Sequence, residues 1–288
     1  MIRSCLYVPG TRPDRLTGAL TRGADVVIAD LEDAVAPGDK VAARTTVAAW
    51  LADLPAPPAQ RWVRVNSDTL ADDIAAVALP GLAGLVLPKL DDPATLDHVD
   101  ALLADLEADR GLPPSSIAVA PLIESANGVL NAPAIARGPR VGRLQLGEAD
   151  LSADLGVTLG PTGLELLYAR SRIILASAGA GLPGAVGPVW TAIDDLDGLR
   201  RSSLELKDLG FRARSVIHPK HIEIVNEVFT PGAAEVERAR RVVADYDRAL
   251  AEGRGAIRDA TGTMIDEAMV RSARDLLDAV DDDAATSA

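Results

Sequence analysis

The chain has 288 residues, 48% hydrophobic and 25% charged, with 42 acidic side chains against 29 basic ones and a net charge of −13. That is enough apolar material for one large barrel or two small domains. The acidic balance argues against a nucleic-acid partner, which asks for a basic face. No stretch approaches the roughly 20 apolar residues of a membrane span, and the opening MIRSCLYVPG lacks a long apolar signal region. No membrane association is expected. The single cysteine, Cys5, excludes an intrachain disulfide, which makes a reducing cytoplasm the expected setting. Inside an apolar run it reads as a small buried residue rather than a catalytic thiol.

In chain order, apolar runs fall at Ser4 to Val8, Asp25 to Asp30, Trp62 to Val65, Gly84 to Pro88, Ile117 to Ile123, Arg143 to Leu146, Pro183 to Val189 and Ser215 to Ile217. Most are β-branched or Leu-rich and continuously apolar, as strands buried on both faces should be. Helical patterns lie between them, at Asp14 to Arg22, Lys40 to Leu51, Thr69 to Ala78, Asp92 to Asp109, Ala126 to Ala136, Thr162 to Ala178 and Asp194 to Leu209, with Lys220 to Val228 as the eighth. Strand alternating with helix eight times predicts an α/β fold, a (β/α)8 TIM barrel over residues 1–229, a size close to the roughly 250 residues such barrels need. Thr230-Pro231-Gly232 then punctuates the chain, and Ala233 to Glu252 and Glu267 to Val280 read as helices of a C-terminal lid or oligomerisation segment over 230–280. The acidic tail 281–288, DDDAATSA, is expected to be disordered.

A parallel barrel gathers the C-terminal ends of all its strands at one mouth, where its chemistry occurs. Three of those ends offer Arg64, Glu124 and Asp150. Arg64, in WVRVN, is either a substrate-facing cation or the partner of a structural carboxylate; its position beside Asn66 at the strand end favours the first. Glu124 opens the segment before a helix and has a helix-dipole reading as good as its ligand reading. LQLGEADLSADLG reads as a strand running into a Gly loop with three acids, Glu148, Asp150 and Asp154, and Asp30, Glu32 and Asp33 form a similar acidic end. Like charges gathered at one mouth call for a cation, and two acidic oxygen ligands suit magnesium. Lys89 reads as an ordinary lysine supporting an acidic neighbour rather than a Schiff-base lysine. His218 is the only histidine at a strand end, too few for a zinc cluster. No G-x-S-x-G elbow and no G-x-G-x-x-G after the first strand occurs.

RSCLYVPGTRPDR, ADVVIADLEDAV, VRVN, GLVLPK, PLIESANGVLNAPAIA, LGEADLSADLG, GFRARSVIHPKHI and GTMID fall in order along the chain. As an ordered set they resemble the HpcH/HpaI aldolase and citrate lyase superfamily, specifically the citrate lyase β-subunit-like and malyl-CoA lyase branch. The resemblance implies a TIM barrel, a homotrimer or hexamer, Mg²⁺, and cleavage or formation of a carbon–carbon bond in an acyl-CoA such as malyl-CoA or citramalyl-CoA, with a small dicarboxylate or 2-oxoacid as the other substrate. By motif, Glu124 and Asp150 are the implied metal ligands, and Arg64 holds a thioester or carboxylate oxygen. The backbone at Gly147, Glu148 and Ala149 meets a substrate carboxylate, Tyr7 and Arg12 meet the thioester or substrate, and Asp266 is a proton-transferring acid delivered from a neighbouring subunit. The alternatives are a CoA-independent metal aldolase on hydroxy-oxoacids and a citrate lyase component that needs partner subunits. Three positions depart from the family pattern: Gly18 and Arg214 stand where lysines are usual, and Gly187 where an aspartate is.

Overall fold

The computed structural model describes residues 1–53, 58–160, 162–258, 262 and 264–286, with side chains described as far as residue 281. It divides into a barrel unit, Ile2–Phe229, and a C-terminal unit that begins at Thr230. In the barrel unit the elements run as β1 (Ser4–Pro9), α1 (Pro13–Ala19), β2 (Val26–Asp30), α2 (Lys40–Ala52), β3 (Gln60–Arg64), α3 (Leu70–Val77), β4 (Gly84–Leu87), α4 (Ala94–Arg110), β5 (Ala118–Ile123) and α5 (Ala126–Ile135). They continue as β6 (Gln145–Leu146), α6 (Glu148–Leu155), α7 (Leu167–Gly179), β7 (Val186–Gly187), α8 (Leu196–Leu209), β8 (Ala213–Val216) and α9 (Ile222–Phe229). The eight strands form a closed barrel in sequence order; all pairs are parallel, and β8 returns to β1. This is the predicted (β/α)8 barrel.

Side-chain alternation along each strand separates two cores. Cys5, Val26, Ile28, Trp62, Val86, Ala120, Leu122, Val186 and Ala213 pack together as one cluster inside the barrel. Residues of opposite parity, such as Leu6, Val27, Val63, Leu85 and Val119, join the helices in a larger outer core. Because strands are buried on both sides, β2 is buried at every position, which is why these runs show no polar alternation in the sequence.

Four elements differ from the sequence pattern. LGEADLSADLG has the composition of a loop, but Glu148–Leu155 is the helix α6, closed by Gly156 in the left-handed conformation (φ +66°), whose N–H returns to the carbonyls of Ser152 and Ala153. Only glycine adopts that turn without strain. β6 and β7 shrink to two residues each and share a single paired position, Gln145 with Val186. Gly184 at φ +103° and Pro188, which has no N–H, bracket the seventh run and shorten its ladder. The helix expected from Thr162 begins instead with a 3-10 turn, Leu164–Leu166, ahead of α7.

The C-terminal unit consists of α10 (Ala233–Ala251), an antiparallel pair β9 (Ile257–Arg258) and β10 (Met264–Ile265), and α11 (Glu267–Thr286). Tyr246, Ile265 and Val270 form its core, and Tyr246 Oη donates to Glu267 Oε2 at 2.8 Å. The acidic composition predicts disorder from residue 281; the helix instead runs to Thr286. Residues 287 and 288 lie outside the described residues. Among the described residues no helix is long and apolar enough to cross a membrane.

Cys5 is 3% exposed inside the barrel, and burial pushes its thiol up to about 12. The native protein should therefore leave a disulfide-exchange chromophore unreacted at pH 8 and release one equivalent only after unfolding in guanidinium. Stoichiometric reaction of the folded protein would contradict the buried placement.

Candidate active site

Two residues beyond the inner core on four strands stand four polar groups: Tyr7 after Cys5, Asp30 after Ile28, Arg64 after Trp62 and Glu124 after Leu122. Period-two alternation points them all into the barrel mouth. There they line a cavity of about 810 Å³, together with Gly147, Glu148, Ala149 and Asp150 at the start of α6.

Arg64 lies at the hub of this wall. Its Nε and Nη2 donate to Asp30 Oδ1 and Oδ2 at 2.7 and 2.6 Å, a bidentate pair between residues that are also register partners on β2 and β3. Nη1 lies 2.9 Å from Glu32 Oε2, out of line for a hydrogen bond, and donates to Asp33 Oδ2 at 3.2 Å. The guanidinium carbon sits 5.1 Å from the centre of the Tyr7 ring, and Tyr7 Oη donates to Gln145 Oε1 at 2.8 Å. Burial alone would lower the Arg64 pKa, but the Asp30 carboxylate holds it above its ordinary value; burial pushes the Tyr7 hydroxyl up. The structural-carboxylate reading that the sequence ranks second is thus satisfied in full, while Arg64 still faces the cavity. Of its donors, Nη1 is the one least committed, because Asp33 is 58% exposed.

Lys89 ties this cluster to Glu124. Its Nζ donates to Glu32 Oε1 at 2.9 Å and its backbone N–H to Glu124 Oε1 at 2.8 Å. It does so in the left-handed region at φ +53°, a conformation that costs a non-glycine residue about 1 kcal/mol or more. The other Glu124 oxygen passes over Gly147, where an added Cβ would fall 2.7 Å from Oε2 and 2.8 Å from the Glu124 Cβ. Burial, together with the charges of Glu32 and Asp150, pushes the Glu124 carboxyl up to about 8 against the Lys89 N–H that lowers it.

The three acids of LGEADLSADLG have separate fates. Glu148 is held by Arg170 at 2.6 and 2.9 Å, and Asp154 caps α5 through the Ala126 N–H at 2.7 Å. Asp150 alone has no hydrogen bond or ion pair among the described residues. A carboxylate without a partner, beside a carboxyl kept protonated in part by that same charge, is a donor set that a hard cation would relieve. No group of three or more His, Cys, Asp or Glu side chains able to hold a metal occurs among the described residues. Two carboxylates are what magnesium commonly takes from a protein, with the remaining oxygens from substrate and water. The residues fit that ion.

Two expected site residues lie elsewhere. Arg12 is not in the cavity wall; its guanidinium pairs with Asp14 at 2.8 Å on the exposed start of α1. Asp266 belongs to the C-terminal unit, where Oδ1 accepts the Met269 N–H at 3.1 Å as the N-cap of α11. Of the departures, Gly18 borders open space, whereas a Cβ at Gly187 would fall 2.9 Å from Leu206 Cδ1. Sequence reasoning gives no role to Asp30 as the Arg64 clamp, to Gln145 or to Arg170. The inward parity of Asp30 and Gln145 is a signal that could have found them; a helical Arg170 offers none.

A closed parallel barrel thus gathers carboxylates and a guanidinium at one mouth, the end where barrels of this kind place their chemistry. Residues 3–219 match the family model of HpcH/HpaI aldolase/citrate lyase, and the chain belongs to that family. It is 34% identical over 276 residues to the citrate lyase subunit beta of Leuconostoc mesenteroides subsp. cremoris, covering 94% of this chain and 91% of that one. It is also 34% identical over 278 residues to a (3S)-malyl-CoA thioesterase of Cereibacter sphaeroides, at 96% and 93% coverage. Among solved structures, a CitE protein of Mycobacterium tuberculosis in complex with magnesium, acetoacetate and coenzyme A superposes with a TM-score of 0.75 at 30% identity, covering 96% of this chain and 97% of that one.

Asp30→Ala would leave the buried Arg64 charge without its main partner and should cost about 3–5 kcal/mol in chemical denaturation. A loss below about 1 kcal/mol would show that solvent compensates the guanidinium. A cation at Glu124 must displace the proton that this carboxyl holds below about pH 8. Magnesium titration in weakly buffered solution at pH 7 should therefore release close to one proton per site, with release fading above pH 9 and apparent affinity rising between pH 6 and 8. Affinity independent of pH would refute the raised carboxyl.

Proposed function

We propose that this chain is a magnesium-dependent carbon–carbon lyase that cleaves, or in reverse forms, a 3-hydroxyacyl-CoA such as malyl-CoA or citramalyl-CoA. The observation that carries this reading is Asp150, without a hydrogen bond or ion pair among the described residues, in one cavity with the proton-holding Glu124 and the Arg64 guanidinium. Glu124 and Asp150 would hold the magnesium. When bound, the ion supplies Lewis-acid polarisation of the hydroxyl and carboxylate oxygens of the hydroxy-acid half.

The chain's own groups account for the remaining demands. At the start of α6 the N–H groups of Glu148 and Ala149 orient the substrate carboxylate at a helix N-terminus, beside Gly147, whose own N–H is taken by the Ile123 carbonyl at 2.9 Å. Arg64 Nη1 exchanges the exposed Asp33 for the thioester oxygen, while its other donors stay locked on Asp30. As the substrate hydroxyl passes its proton to water at the open mouth of the cavity, the carbon–carbon bond breaks: the hydroxyl carbon becomes the carbonyl of the oxoacid, and the bond's electron pair passes to the acyl-CoA fragment as an enolate. The resulting enolate charge is met by a guanidinium already fixed in place, which requires little reorganisation. Tyr7, whose ring centre lies 5.1 Å from the Arg64 guanidinium carbon, stacks on that wall. Asp266, brought by a second copy of the chain in a trimer or hexamer, donates the proton to the enolate carbon. Glu148 does not serve as the base, because Arg170 holds both of its oxygens. A cytoplasmic setting agrees with the single reduced cysteine.

Hydrolysis of the thioester is a second reading, supported by the likeness to the (3S)-malyl-CoA thioesterase over nearly the whole chain. The same assay separates the two: cleavage yields an oxoacid and an acyl-CoA, hydrolysis yields free CoA thiol and a hydroxy acid.

A panel of 3-hydroxyacyl-CoA thioesters with Mg²⁺ should give oxoacid that EDTA abolishes. Glu124→Ala and Asp150→Ala should lose magnesium binding and at least about a hundredfold in kcat/KM. Asp266→Asn keeps an N-cap, and so fold and metal affinity, yet should lower kcat by about 10²–10⁴. Free thiol without oxoacid would replace the lyase by the hydrolase, and an unimpaired Asp266→Asn would remove the acid from the mechanism.

A further inference from the structure

The cavity extends beyond the barrel mouth. Arg214 has the opposite parity on β8 to Ala213, which belongs to the inner core, so it leaves the barrel on the side of α8. It is 1% exposed and still forms part of the cavity wall, with Trp190, Arg201 and Ser202. Nε donates to the Pro188 carbonyl at 3.0 Å, and Nη1 to Ser203 and Ser202 Oγ at 2.9 and 3.2 Å. The Trp190 ring stacks 5.7 Å from the guanidinium carbon. All its acceptors are neutral, and Nη2 has none among the described residues. A buried arginine is normally paired with a carboxylate; this one is not, and burial lowers its pKa to about 10.

The surrounding charges define what would complete it. Arg170 and Glu148 neutralise each other. That leaves, on the α8 side of the cavity, Arg214, Arg201, which is exposed and makes no ion pair among the described residues, and Glu205, the one acid that α8 contributes to the lining, which also makes none among the described residues. The balance is one positive charge, beside the flat face of Trp190 and two serine hydroxyls. A planar, singly charged carboxylate matches a guanidinium edge; a phosphate dianion exceeds the charge on offer.

We propose that Arg214 and Arg201 form a second oxyanion subsite, separate from Glu124 and Asp150, that takes an additional carboxylate of the substrate. As a statement about binding it stands by itself. As a statement about substrate it rests on the lyase reading, and selects hydroxyacyl thioesters or oxoacids carrying one more carboxylate than the metal site engages.

The test is calorimetric titration of the metal-free full-length protein, dialysed free of chelator, with succinate, acetate and inorganic phosphate. Both carboxylates should bind saturably in the millimolar range, and more tightly than phosphate. Arg214→Gln should weaken them about tenfold and Arg201→Ala about threefold, with Arg214→Lys intermediate because it keeps the charge and loses the fork. Should Arg214→Gln fail to fold by circular dichroism, the exposed Arg201 carries the test. No saturable binding to the unmodified protein, binding unchanged in Arg201→Ala, or phosphate the tighter ligand would each overturn the subsite. Carboxylate binding without turnover of any thioester would support the subsite and sink the lyase; turnover without carboxylate binding would do the reverse.

Discussion

A bidentate ion pair between Arg64 and Asp30 organises the barrel mouth. The two residues are register partners at the ends of adjacent strands, so the barrel's closure brings them together without any loop having to fold correctly. Each charge would be prohibitive to bury alone; together, with the Glu32 and Ala34 N–H groups on Asp30, they are compensated. The pair also positions its neighbours around the mouth. Glu32 stands against Arg64 and recruits Lys89, and Lys89 is strained so that its N–H reaches Glu124. The linkage runs from β2 through β3 and β4 to β5, one strand end to the next.

That linkage divides the mouth electrostatically. On one part every charge is answered: Asp30 by Arg64, Glu32 by Lys89, and Glu148 by Arg170. Next to it neither Glu124, which accepts the Lys89 N–H, nor Asp150 has an ion-pair partner among the described residues, and burial pushes the Glu124 carboxyl up so that it holds its proton. Over the wall formed by β7, β8 and α8 the imbalance has the other sign, with Arg214 surrounded by neutral oxygens. An acidic chain thus presents both a cation-seeking and an anion-seeking region within one cavity.

Parity explains the success and the failures of sequence reasoning. The inner-core positions Cys5, Ile28, Trp62 and Leu122 sit in hydrophobic runs, and Tyr7, Asp30, Arg64 and Glu124 each come two residues later. Arg64 and Glu124 stand out in the sequence as charges at strand ends, which they are. Asp30 looks like one of three equivalent acids, because only the register with β3 shows which of them meets the guanidinium. α6 is hidden because its glycines and acids, read along the chain, look like a loop, although Gly156 is its C-cap. Arg214 shows in the sequence only as a departure, an arginine where a lysine is usual; its outward parity takes it to Ser202, Ser203 and Trp190.

By itself, the sequence determined the alternation of buried strands and helices, the barrel, the punctuation at Thr230 and which strand ends carry charge, since each of these is a local pattern of apolarity and turn chemistry. Only the tertiary structure decided who partners whom: that Arg64 is clamped by Asp30, that Asp150 alone of its three acids makes no pair among the described residues, and that Arg214 lacks a counter-charge there. Pairing of buried charges is a property of distances between strands, and a one-residue change of register or parity, invisible in composition, sends a side chain to the opposite face.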